Sequence, residues 1–230
     1  PDDIDEPQLI YLKSRGVGTI ELGAQSFNDD VLRLAGRGHD AAATVHAMKL
    51  IQAQKFQTGL HLMAGLPGDS RESFHRSLEQ TVLLRPDTVR IHPVIVFADT
   101  PLADEYRRGH YRPLSLHDAV FHCFLAWEAL TPAGIRIIRF GLQMTPEMNR
   151  EGAVVAGPVH PAFGSLVYST VYYSYTLKLL ANIRGRAREM RFMIGRRDLS
   201  HFQGYKNRNL EAIKKLYPDT SINLDSVTGI

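Results

Sequence analysis

The chain has one cysteine, Cys123, in 230 residues. A lone thiol cannot close an internal disulfide and cannot by itself hold zinc or an iron–sulfur cluster, so any metal must draw on other ligands or on chain outside these residues. No apolar run approaches the roughly 20 residues a membrane span requires, the strongest being residues 94–98. The first six residues, Pro1-Asp2-Asp3-Ile4-Asp5-Glu6, are acidic where a secretory signal is basic and then apolar. These absences predict a cytoplasmic protein with no membrane partner. The dinucleotide fingerprint GxGxxG, the P-loop, HExxH and GxSxG are missing too, as are internal repeats and low-complexity tracts. Methionine is absent from the first position, where Pro1 stands, which suggests a processed product or an excised piece.

The residues that are present suit one large or two small globular domains, with 44% hydrophobic and 22% charged. Net charge is only +3, but it is uneven. Residues 184–215 hold seven arginines and three lysines against Glu189, Asp198 and Glu211, a local balance of +7 that leaves −4 for the rest. Such a cluster is either a nucleic-acid footprint or a solvated face.

Hydrophobic spacing alternates between strand and helix through the first 140 residues. A helix at 8–12 stops at Gly16, and a strand follows at 18–23. Asn28 or Asp29 caps a helix at 31–34, and Asp40 caps a longer one through Met48 and Ile51. The strand at 58–64 ends in Gly65-Leu66-Pro67-Gly68, after which Asp69 and Glu72 form a capping-box pattern for a helix through Leu84. A strand at 89–96, a helix opened by Thr100-Pro101, a helix opened by Ser115 and Asp118 that carries Trp127 and Leu130, and a strand at 135–140 complete the series. This rhythm predicts an α/β fold of parallel βα units. The residues that follow the strands, Glu21, Gln25, Gly65, Gly68 and Asp99, favour a barrel, because barrels place their chemistry at that end. Three such units cannot close a barrel, so an N-terminal half, a second copy of the chain (a homodimer) or the residues after 140 must cover the open sheet. Residues 143–183 read as a Gly- and Pro-rich connection followed by a helix from about 163. Residues 184–230 read as a small basic α+β appendage with a strand at 189–194, a helix at 200–216 and a strand at 222–227.

Few residues stand out for chemistry. His117 and His122 are five apart, a poor fit to a zinc pair on a helix. His61 and His92 lie within strands, where a polar ring must find a partner, either as a satisfied core histidine or as a catalytic one. Glycine directly after a buried strand, at Gly23 and Gly65, lets a ligand approach the backbone, and the amide of Gln25 can offer it both a donor and an acceptor; a tight βα turn explains the same residues.

Taken together the motifs are more specific. Glu21-Leu-Gly-Ala-Gln-Ser-Phe-Asn-Asp-Asp-Val-Leu-Arg33, Gly36-Arg-Gly-His39, His61-Leu-Met-Ala-Gly-Leu-Pro-Gly68, Pro86-Asp-Thr-Val-Arg-Ile-His-Pro93, Thr100-Pro-Leu-Ala-Asp-Glu-Tyr106 and Gly109-His-Tyr-Arg-Pro-Leu-Ser115 occur in order. Over residues 1–142 this series resembles the second half of the radical S-adenosylmethionine (SAM) barrel. The similarity is greatest to the elongator catalytic-subunit branch and looser to the oxygen-independent coproporphyrinogen III oxidases.

The resemblance implies the C-terminal half of a partial (βα)6 TIM-like barrel with a small α+β C-terminal appendage. It implies two cofactors, SAM and a 4Fe-4S cluster, the latter held by a CxxxCxxC loop upstream of residue 1. By position, Gln25 would contact the ribose and amino-acid part of SAM, and Arg37 its carboxylate. Glu21 would hydrogen-bond cofactor or substrate. Ala64 and Gly65 would pack near the adenine with Ile95 and Val96 beside them. His61 stands where looser relatives carry an acid near the ribose. The complete enzyme would generate a 5′-deoxyadenosyl radical to modify a substrate. The elongator branch and the basic segment point to tRNA, the coproporphyrinogen oxidases to a tetrapyrrole. No acetyltransferase domain is evident, and the supplied residues alone would be inert. Two other readings stay open. One is a non-enzymatic RNA-binding module using Arg196, Arg197, Lys206 and Arg208, with Phe192, Phe202 and Tyr205 available for stacking. The other is an ordinary barrel enzyme that takes a phosphorylated metabolite at the glycine turns.

Overall fold

The computed structural model describes residues 1–182 and 188–227. The chain divides into two compact units, Pro1–Pro161 and Ala162–Ile230. The border between the units thus differs from the 142/143 and 183/184 expected from the sequence.

The first unit opens with α1 (Glu6–Ser14), capped by Asp5, whose carboxylate accepts from Gln8 N at 2.8 Å. There follow β1 (Thr19–Gln25), α2 (Asp29–Leu34), α3 (Ala41–Ala53), β2 (Gln57–Ala64), α4 (Arg71–Leu84), β3 (Thr88–Pro93), β4 (Val96–Phe97), α5 (Pro101–Arg107), α6 (Leu116–Leu130), β5 (Arg136–Phe140) and β6 (Val154–Ala156). The caps expected at Asn28, Asp40, Thr100 and Ser115 form: each side chain accepts a backbone N–H of the first helical turn. At α4 the cap differs. Ser70 and Ser73 make the reciprocal box, while Asp69 turns back to accept from Gly65 N at 3.0 Å.

The main sheet is parallel, in the order β1-β2-β3-β5. Successive side chains alternate between faces. Leu22 and Ala24, then Leu60, Leu62 and Ala64, then Val89 and Ile91 are buried on one face, which α3 and α6 cover. A fully buried leucine contributes about 1.5–3 kcal/mol, so this face holds the unit together. The opposite face receives the other half of each strand: Glu21, Gly59, His61, Arg90 and His92. That face is polar.

The expected strand at 89–96 is in fact two. Pro93 ends β3, since proline offers no N–H to continue a ladder. The chain then bends, and Val96–Phe97 pairs antiparallel with Val154–Ala156, inside a stretch read from sequence as irregular. The strand expected at 135–140 forms as β5 and pairs with β3 as the fourth member of the sheet.

In the second unit, α7 (Phe163–Ala181) precedes β7 (Glu189–Gly195), α8 (Leu199–Gln203), a single 3₁₀ turn at Tyr205–Asn207, α9 (Arg208–Leu216) and β8 (Ser221–Val227). Strands β7 and β8 are parallel. Their core joins Leu180, Met190, Phe202 and Ile213, with Tyr172 and Tyr173 of α7 packed against it, which is why the border falls before this helix. The single helix expected at 200–216 is broken, because Gly204 (φ 76), Lys206 (φ 54) and Asn207 (φ 59) take left-handed backbone. Among the described residues no helix is long and apolar enough to cross a membrane.

Candidate functional site

The polar face of the main sheet is organised around Glu21. Arg90 grips its carboxylate with two bonds, Nε to Oε2 at 2.9 Å and Nη2 to Oε1 at 3.1 Å. The His61 ring donates from Nε2 to Oε2 at 2.5 Å. Gly59, the β2 partner of Glu21, makes this possible, because a Cβ there would stand 2.6 Å from Glu21 Cγ. The Arg90 hydrogen bonds, more than His61, hold the Glu21 carboxyl down at about 2 against the opposing effect of burial. Parallel neighbours in register place the trio side by side, His61 opposite Arg90.

His92 lies one step further along β3, its ring 5.7 Å from that of His61. Burial, reinforced by the positive charge of His61, Arg139 and Arg90, pushes its pKa down to about 4. At neutral pH it is an uncharged imidazole. Its buried Nε2 has no hydrogen-bond partner. The expectation that both strand histidines find partners is met by His61 and not by His92 Nε2.

Beyond this network the strand ends form a rim. Gln25 ends β1 with φ 65, and its amide folds back so that Nε2 lies 2.5 Å from where a Cβ of Gly23 would be. The loop carrying Arg37 is tied to the same end by His39 Nε2, which donates to Ala24 O at 3.3 Å. Gly65 follows β2 at φ 81 and is fixed by Asp69 on its N–H and by Tyr111, whose hydroxyl donates to Gly65 O at 2.5 Å. Gln25 and Gly65 thus share one end of the sheet, and Arg37 sits on a loop anchored there. The side chains of Gln25 and Arg37 make no hydrogen bond or ion pair with a described residue. The space a Cβ of Gly65 would need is filled by Leu114 Cγ, 2.7 Å away. Beside the rim, a groove of about 770 Å³ runs between Gly36, Leu66, Asp69, Glu105, His110 and Arg112.

The remaining expected contacts are placed as follows. Ala64 is fully buried, and its carbonyl accepts from Val94 N at 3.0 Å. Val96 is also fully buried, in a cluster with Val31, Leu66, Val94, Ala103 and Tyr111, because the chain bends after β3; the apolar ligand surface expected of it is core. Ile95 is half-buried. Arg196 and Arg197 leave β7, and Lys206 and Arg208 lie at the break between α8 and α9, all in the second unit; Arg184 and Arg186 lie outside the described residues. Sequence reasoning gave no role to Arg90 or Tyr111. The only signal for Arg90 was an arginine within a strand otherwise buried.

A cluster does not fit these residues. Among the described residues no group of three or more His, Cys, Asp or Glu could hold a metal ion. Cys123 is buried in α6, where burial pushes its thiol pKa up and away from the thiolate a metal needs. His122 is likewise committed, its Nδ1 donating to Asp118 O at 2.7 Å.

Comparison with known proteins gives this geometry a context. Residues 1–81 match the radical SAM superfamily, and residues 86–173 match the radical SAM C-terminal domain. The tRNA uridine(34) acetyltransferase of Methanocaldococcus infernus is 28% identical over 171 residues, 73% of this chain and 31% of that protein. Elongator complex protein 3 of Mus musculus is 29% identical over 145 residues, 60% of this chain and 26% of that protein. The solved structure of the archaeal Methanocaldococcus infernus Elp3 with an N-terminal deletion superposes with a TM-score of 0.67 at 28% identity, covering 82% of this chain and 43% of the other. The chain therefore spans between a quarter and a third of the length of these two curated relatives. Two adjoining models of one family thus match residues 1–81 and 86–173: the chain belongs to the radical SAM superfamily.

Proposed function

We propose that these residues form the C-terminal half of a partial (βα)6 barrel in a radical SAM enzyme that modifies RNA, with tRNA as the substrate class. The observation that carries the reading is the pair of uncommitted polar groups, Gln25 and Arg37, at the C-terminal end of a parallel sheet, where barrel enzymes place their chemistry. In this family SAM, bound against a reduced 4Fe-4S cluster, supplies a 5′-deoxyadenosyl radical. Arg37 presents a planar fork to the cofactor carboxylate. Gln25 offers a donor and an acceptor to its polar part, and Ile95 adds apolar surface. Glu21, fixed by Arg90 and His61, keeps one ionised carboxylate on the interior face. His92 adds an uncharged ring whose free Nε2 can meet a polar substrate atom without bringing charge.

The cluster ligands, on this reading, lie outside these 230 residues, and the residues alone generate no radical. The exposed edge of β1 then takes the strands that complete the barrel, in preference to a second copy of the chain. The choice of tRNA follows the relatives named as tRNA uridine(34) acetyltransferases. The test is anaerobic reconstitution with iron and sulfide of the whole gene product and of residues 1–230 side by side. The whole product should give cluster absorbance and 5′-deoxyadenosine, the shorter chain neither. Cluster formation with SAM cleavage by residues 1–230 would overturn the reading.

A further inference from the structure

We infer that the polar face of the main sheet holds a phosphate group of the substrate between Arg139 of β5 and Nε2 of His92 of β3. RNA, as the source of that phosphate, rests on the proposed function; the site itself rests on the sheet.

Strands β3 and β5 pair Val89 with Ile137 and then Arg90 with Arg139, so that Ile138 is an extra residue with no partner on β3. Such a bulge exchanges the faces of every residue after it, because side chains alternate with a period of two. Without it Arg139 would stand opposite Ile91, on the buried face that α6 covers, and Phe140 would turn to the polar face. With it, Arg139 joins Arg90 and His92, and Phe140 is buried opposite Ile91. Bulges are rare in parallel pairs, and beside a site they re-aim a side chain. The side chain re-aimed here is an arginine.

That arginine is oriented but not neutralised. Its Nη1 donates to Gln143 Oε1 at 2.5 Å, an uncharged acceptor, and no carboxylate among the described residues pairs with it. The Glu21 carboxylate is already taken, by Arg90 through two bonds and by His61. Arg136, opposite Thr88 at the start of β5, is exposed and adds charge of the same sign. A guanidinium carries five N–H donors in a planar fork, so most of Arg139 is left for an oxyanion.

His92 points to the same place independently. Its Nε2 is buried with no hydrogen-bond partner, where a buried polar atom is ordinarily paired. The groups whose charge acts on the ring are His61, Arg139, Arg90 and Glu21, and the last two are joined to each other. His92 stands two residues beyond Arg90, whose register partner is Arg139. Strands about 4.8 Å apart with a rise of about 3.3 Å per residue thus put the two Cα atoms about 8 Å apart, at the end of the sheet where barrels place their chemistry. An uncharged ring with its hydrogen on Nε2 donates one bond, and Arg139 supplies the charge and the others. A carboxylate would take the same donors; an RNA substrate offers phosphate.

The experiment follows the His92 ring by nuclear magnetic resonance in residues 1–230 with isotope-labelled histidine and without SAM, adding inorganic phosphate, acetate or chloride at one ionic strength. His92→Phe assigns the signal. Phosphate should shift it saturably and move the pH at which the ring protonates from about 4 toward 6.5, because an anion beside it favours the charged form; chloride should do neither. Arg139→Gln should raise that pH a little by itself, since it removes a neighbouring cation, and should then need about ten times more phosphate for the same response. Arg76→Gln, at an exposed arginine of α4, should leave the response unchanged. A His92 signal that phosphate does not move, or that it moves as readily in Arg139→Gln as in wild type, would overturn the site, and an equal response to acetate would overturn its assignment to phosphate. A short unstructured RNA should move the same signal and compete with inorganic phosphate. If phosphate moves the signal and RNA does not, the site stands and RNA as its substrate falls. Because the assay omits SAM, failure of the cofactor reading leaves its outcome untouched.

Discussion

The middle of the main sheet and its rim use the same kinds of residue to opposite ends. In the middle, Glu21, His61 and Arg90 satisfy one another within hydrogen-bond distance. At the rim, Gln25 and Arg37 carry equally polar groups that no described residue engages. Arg37 is exposed and Gln25 half-buried, so water can serve both, and it is their place at the end of a parallel sheet that makes them candidates to meet a ligand. Substitutions in the middle should therefore be read in stability, and those at the rim in binding.

The largest expected effect is Gly59→Val. The added carbons meet Glu21 Cγ, and the strand pair must shift to relieve them, a loss of about 2–3 kcal/mol visible as a lower urea midpoint. Arg90→Met should follow at about 1–2 kcal/mol, since it strips the partly exposed Glu21 of two charge-assisted hydrogen bonds. It should also remove an acid-sensitive component of stability. A carboxyl held at about 2 when folded, against 4.5 as its ordinary value, stabilises the fold above pH 4.5 and ceases to as pH falls from 4.5 toward 2. His92 acts in a higher window. Its ring stays neutral down to about pH 4 when folded but protonates near 6.5 when unfolded, so stability should drop as pH falls from 6.5 toward 4. His92→Phe should flatten that window alone, as followed by thermal melts across pH.

Arg37→Ala should leave the melting temperature unchanged and weaken SAM binding about tenfold, the converse of Arg90→Met. The smallest effect should be Tyr111→Phe, which frees the Gly65 carbonyl and costs about 1 kcal/mol or less while loosening the groove beside the rim.

What the sequence made legible was local. Helix caps at Asn28, Asp40, Thr100 and Ser115 follow from side chains reaching three residues along the chain, and the strands from alternation over a short run. The same locality misled at α4, where Asp69 and Glu72 satisfy the capping-box spacing but Ser70 and Ser73 sit one step deeper and take the bonds. Arg90 was not legible as the partner of Glu21, because 69 residues separate them and only the register of three strands brings them together. The two-residue ladder of β4 and β6 carries too little pattern to be seen, and with it went the inward turn of Val96. The family likeness adds Gln25 and Arg37 as candidates where the turn residues alone could not decide between ligand and tight turn.

Equilibrium dialysis of labelled SAM against wild type, Arg37→Ala and Arg90→Met, each first shown folded by circular dichroism, tests the division between rim and middle most directly. The account predicts measurable binding by wild type, a loss of about tenfold in Arg37→Ala, and near wild-type affinity in Arg90→Met despite its lower stability. Undiminished binding by Arg37→Ala, with the loss falling on Arg90→Met instead, would contradict it.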